Sequence, residues 1–194
     1  DALFGVPQNP KNHPEIDTGD HVMRVIDRAA AESQPLPVRY AALLHDLGKG
    51  LTPRANWPNH GGHEAAGVEL VKQVGTRLRA PTDCTSQAQI VARWHGQAHN
   101  ADTMGAAGLL ELLVQADAFR RPQRFGEFLQ ACAADFHGRP GYEERAFPQA
   151  QRLLQALTAA RQIDARAIAQ QAAAADIPDA IHAARLQAIE SALA

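Results

Sequence analysis

The apolar residues of this chain recur at three- and four-residue spacing, and nothing in it reads as a run of strands. Val22, Val25, Ile26 and Ala29 share one helical face, and Val68, Leu70, Val71 and Val74 form the apolar positions of another helix. Ile90, Val91 and Trp94 mark a third helix, expected to end near His95-Gly96-Gln97-Ala98-His99. Leu109, Leu110, Leu112, Leu113 and Val114 make the segment 105–119 apolar on most sides, as a central buried helix would be. The aliphatic content is mostly Ala and Leu with only 5% aromatics, a composition that favours helices. The fold class is therefore all-α.

Breaks order these helices. Residues 1–17 carry prolines and turn residues and read as an extended lead-in. Thr18 or Asp20 is the expected cap of the first helix, which carries His21. Gln34-Pro35-Leu36-Pro37 ends it, and a second helix is expected from about Val38 to Leu47, with Gly48 as C-cap. Residues 49–62 form a loop long enough to suggest function. Phe125, Phe128, Leu129 and Cys132 give another helix, closed by Gly138-Arg139-Pro140-Gly141. Three Ala- and Gln-rich helices follow, around 145–161, 164–174 and 178–193. The organisation expected is a domain over residues 1–140 and a helical extension over 141–194.

A formal charge of −2 argues against a strongly basic nucleic-acid module, though a local basic face is compatible with it. Cys84 and Cys132 have no CxxC spacing and read as free thiols of a reducing, cytoplasmic compartment. No apolar run approaches membrane-spanning length, and no signal peptide is evident. The chain starts at Asp1 rather than Met, as a piece of something longer would.

The chemistry concentrates in Ala42-Leu43-Leu44-His45-Asp46-Leu47-Gly48-Lys49-Gly50, an apolar helix end running into adjacent imidazole and carboxylate. That pair suits a divalent ion with mixed nitrogen and oxygen ligands. His21 and Asp117 lie near the ends of other expected helices, and together with His45 and Asp46 would form a site with two imidazoles and two carboxylates. Without context, a His-Asp pair at a helix end serves equally as a C-terminal dipole contact. Lys49 is placed to meet a phosphate as a point charge. His60 and His63 flank two glycines, and His95 and His99 are four apart and share a face on a continuous helix, although Gly96 would break that register if it ends the helix. Glu64 reads equally as a first-turn acid favoured by the dipole. Arg120, three residues after Asp117, either contacts substrate or orients that carboxylate. His13, His137 and His182 are expected at the surface.

The order His21, His45-Asp46, Asp117 resembles the signature of HD-domain metal phosphohydrolases. The text from His13 to Gly19, from His45 to Pro53 and from Asp117 to Arg124 resembles the C-terminal half of bacterial CCA-adding tRNA nucleotidyltransferases of the subgroup that carries an HD domain. No Gly-Ser followed by Asp-x-Asp occurs, so the polymerase carboxylates of that family are absent from this chain. The resemblance implies an HD-domain helical bundle with metal-dependent 2′,3′-cyclic phosphodiesterase, 2′-nucleotidase and phosphatase activity. It implies a metal (nickel, manganese, cobalt or magnesium) on His21, His45, Asp46 and Asp117. Asp46 and His95 would be catalytic, with Lys49, His63, His99 and Arg120 near substrate. It also implies tRNA as partner of the full-length protein. A second copy of the chain is a further candidate partner, through the apolar stripes of the last three helices. The competing expectations are a non-catalytic tRNA-binding helical module and an HD hydrolase of other nucleotides.

Overall fold

The computed structural model describes residues 2–193 and contains, among them, nine α-helices, two short 3-10 turns and no strand beyond one isolated bridge between Pro7 and Asp17. The helices are α1 (Thr18–Ala31), α2 (Leu36–Leu44), α3 (His63–Leu78), α4 (Thr82–His99), α5 (Ala106–Gln115), α6 (Pro122–His137), α7 (Pro148–Arg161), α8 (Ala165–Gln171) and α9 (Ile177–Leu193). The chain divides into two compact units, one of residues 1–99 with 123–147 and one of residues 100–122 with 148–194. These interleaved stretches differ from the single cut expected at residue 140. Among the described residues no helix is long and apolar enough to cross a membrane.

In the first unit α2 packs on α1 and α4, and α3 packs on α4 and on the 3-10 turn Leu47–Leu51. Val25 and Ala29 of α1, Ala42 of α2 and Ala134 of α6 form a fully buried cluster. Small residues let the backbones approach there, and a Cβ on Gly138 would lie 3.0 Å from the Val25 backbone. Phe125 and Phe128 stack with ring centroids 5.7 Å apart, both fully buried. Cys84 and Cys132 are free and buried.

The lead-in is more ordered than its prolines suggest. Asp17, rather than Thr18 or Asp20, caps α1: its Oδ1 accepts from the backbone N–H of Gly19 at 2.8 Å and of Asp20 at 3.1 Å. Its Oδ2 accepts from Gly5 N–H at 2.6 Å, and the Thr18 hydroxyl donates to Val6 O at 2.8 Å. Leu3, Val6 and Gln8 are buried as a result.

In the second unit α5 packs on α7 and α9, and α8 on α9. Leu109, Leu110, Leu112 and Leu113 are buried as expected, but Val114 is exposed. Arg185 of α9 lies over the Phe119 ring at 3.9 Å.

Candidate metal centre

The expected helix over Val38–Leu47 stops at Leu44, three residues early, and begins two residues early with Pro37 in its first turn. His45 and Asp46 therefore sit in the turn between α2 and the 3-10 segment, and Gly48 is part of that segment rather than a helix cap. Tight packing enforces this turn. A Cβ on Gly48 would fall 1.9 Å from the carbonyl oxygen of His63, so only glycine admits α3 so close.

Three imidazoles face Asp46 in one common way. Nδ1 of His45 donates to Ala42 O at 2.8 Å, Nδ1 of His63 to His60 O at 2.8 Å, and Nδ1 of His95 to Val91 O at 3.0 Å. A carbonyl only accepts, so Nδ1 carries the hydrogen in each, and Nε2 is the nitrogen left to face the carboxylate. Those Nε2 atoms point at the carboxylate: His45 stands 3.2 Å from Asp46 Oδ2, while His63 and His95 stand 3.5 Å from Oδ1. α4 runs unbroken through Gly96, so His95 and His99 do share a face, with ring centroids 6.2 Å apart.

His21, fully buried on α1, places Nε2 3.0 Å from Oδ1 of Asp135 and Nδ1 2.7 Å from Oε1 of Glu15. Asp135 comes from the last turn of α6 and also meets His99 Nε2 in a hydrogen bond and Arg139 at 3.2 Å. Ligand atoms within 4.8 Å of one another occur in the sets His21–His45–Asp46, His45–His95–Asp135 and Asp46–His63–His95. These sets share members and so form one buried centre.

Charge is arranged to keep both carboxylates ionised. Burial opposes ionisation of Asp46, but the Lys49 ammonium and His45 hold it well below the usual carboxylate range. Burial likewise opposes ionisation of Asp135, and His99 and Arg139 outweigh it. Burial lowers the pKa of His21, yet Asp135 and Glu15 carry it up to about 9. His13 is pushed down to about 4 by burial, partly offset by Glu15.

The donor set fits a divalent cation. Asp46 Oδ1, His45 Nε2 and His63 Nε2 are buried and have no hydrogen-bond partner among the described residues, a costly state for polar atoms. Imidazole nitrogens beside carboxylate oxygens are what a borderline divalent ion takes.

Of the sequence-derived site residues, the structure brings His21, His45, Asp46, His63, His95 and His99 into the first unit's centre. Lys49 is buried there with Nζ on Asp46 Oδ2 at 2.7 Å and Gln8 Oε1 at 2.6 Å. Asp117 falls in the second unit. α5 ends at Gln115, and Asp117 takes a left-handed φ of 57° with its carboxylate 3.6 Å from Nε of both Arg120 and Arg121. Arg120 thus reaches Asp117 across a turn, not along a helix face. The second carboxylate in the grouped sets is Asp135, which the sequence reading passed over together with Glu15 and Gln8. The spacing of Asp135 and Arg139, four apart at a helix end, was the available signal. His13, expected at the surface, lies against Glu15 at 3.1 Å with its ring centroid 4.7 Å from that of His21.

An all-helical unit with histidines and aspartates gathered on a His-Asp turn is the arrangement of the HD domain, and the chain belongs to the HD domain family, which matches residues 18–184. It is similar along its whole length to the Multifunctional CCA protein of Burkholderia mallei (strain SAVP1), at 55% identity over 195 residues, which is 47% of that protein. The Multifunctional CCA protein of Nitrosospira multiformis is 56% identical over 173 residues, 89% of this chain and 42% of that protein. The chain spans less than half the length of these relatives. No solved structure matches it.

Proposed function

We propose that this chain is a divalent-cation-dependent phosphohydrolase acting on 2′,3′-cyclic phosphates, 2′-nucleotides and simple phosphomonoesters, within a longer protein that serves the CCA end of tRNA. The observation that carries it is the buried centre in which Asp46 Oδ1, His45 Nε2 and His63 Nε2 lack hydrogen-bond partners among the described residues. Nickel, cobalt and manganese fit this imidazole and carboxylate donor set, whereas magnesium would use its oxygens only. His21, His45 and Asp46 are the proposed ligands, with Asp135 in the place that sequence alone assigned to Asp117. A bound cation would polarise a phosphoryl oxygen and lower the pKa of a water.

The remaining work falls to the protein. His95 places Nε2 3.5 Å from Oδ1 of Asp46 and is the candidate to shuttle a proton or steady the phosphate. His63 shares Oδ1 of Asp46 and would line the phosphate side or take part in a second ion site. His99 orients Asp135.

The test is phosphate release from a 2′-nucleotide, with and without chelator, in wild type and Asp46→Ala. Loss of release in both the chelated and the variant protein, at unchanged helical circular dichroism, is expected. An active, cation-loaded Asp46→Ala protein would refute the assignment. A wild type that binds tRNA but releases no phosphate would instead identify a binding module.

A further inference from the structure

We propose that Gln8, in the lead-in before α1, is a positioning residue for the cation-binding carboxylate. It holds the Lys49 ammonium on Oδ2 of Asp46 and so leaves Oδ1 to the cation. The inference rests on reading the buried centre as a cation site.

The lead-in fixes Gln8 from both sides. Its N–H donates to Ile16 O at 2.7 Å, and the carbonyl of the preceding Pro7 accepts from His60 Nε2 at 2.8 Å. The residue is 1% exposed, and its Oε1 lies 2.6 Å from Lys49 Nζ. Lys49 is itself buried, and a buried ammonium needs acceptors for its hydrogens. Asp46 Oδ2 and Gln8 Oε1 are its hydrogen-bond acceptors among the described residues.

Two cations thereby share one carboxylate. The ammonium is compact, with rotatable donors on a flexible stem. With its second acceptor removed it would lean across both oxygens of Asp46 and compete for Oδ1. Oδ1 is the oxygen that faces His63 and His95 and has no hydrogen bond of its own. Gln8 prevents that lean. This also gives Lys49 a task in the centre other than touching substrate.

The experiment is calorimetric titration of Mn²⁺ onto the chelator-stripped full chain. Gln8→Met, near in shape but without the acceptor, should bind Mn²⁺ about tenfold more weakly, as changes in the outer shell of a metal site do. Gln8→Glu, which keeps an acceptor oxygen, should retain at least wild-type affinity. In a Lys49→Met background, Gln8→Met should have no further effect, because the competitor is gone. Equal affinity of wild type and Gln8→Met, or the same loss in both backgrounds, would overturn the proposal. If Gln8→Met fails to fold, Gln8→Asn, whose oxygen falls short of Nζ, makes the same comparison. A wild type that binds no Mn²⁺ refutes the cation centre itself, whereas a binding wild type indifferent to Gln8 refutes only the positioning.

Discussion

Asp135 and Asp117 are both aspartates near helix ends, and their surroundings set them apart. Asp135 is buried against His21, His99 and Arg139. Asp117 faces Arg120 and Arg121, whose side chains are 79% and 54% exposed. Removing one partner of a buried charged network typically costs about 3–5 kcal/mol, while exposed pairs contribute about 1 kcal/mol or less. In the chelated protein Asp135→Asn should therefore lower urea-unfolding stability several-fold more than Asp117→Asn. Mn²⁺ affinity should fall for Asp135→Asn. Unchanged Mn²⁺ affinity in Asp135→Asn would contradict its place among the ligands. His45 and Asp46 were legible as a candidate pair because they are adjacent, and His21 because it follows a distinctive lead. Asp135 was not legible, since an acid in an amphipathic helix looks solvated until its neighbours from α1 and α4 are in place.

The fold class and most helices could be read from spacing and breakers, because apolar positions at helical period are local information. The ends could not. α2 stops at Leu44 because α3 presses the His63 carbonyl onto Gly48, a contact between segments that no local pattern encodes. α4 continues through Gly96, for which one glycine is a tolerable cost within a long helix. Gly48→Ala tests the first of these. Overpacking of this kind costs about 1–3 kcal/mol, and here it would also displace His63. A lower melting temperature together with weaker Mn²⁺ binding is expected. An unchanged melt would mean that the turn and α3 are not locked.

The whole chain is stitched rather than strung. It passes between its two units after residues 99, 122 and 147, so residues 100–122 belong with the helices beyond 147. Truncation at residue 140 would strip α5 of α7 and α9, against which it packs. The 1–140 fragment should thus bind a hydrophobic dye and lose cooperative melting, whereas a well-folded, cooperative fragment would contradict the interleaved division. Filling the centre should act on stability through mass action: Mn²⁺ at a hundred times its Kd would add about 2.7 kcal/mol, reversed by chelator. The interleaving also bears on heredity. A genetic crossover between codons 100 and 147 would divide both units between the two parents. Chimaeras of related genes cut inside this span should fail more often than those cut outside it, so the span is exchanged intact or at a cost in folding.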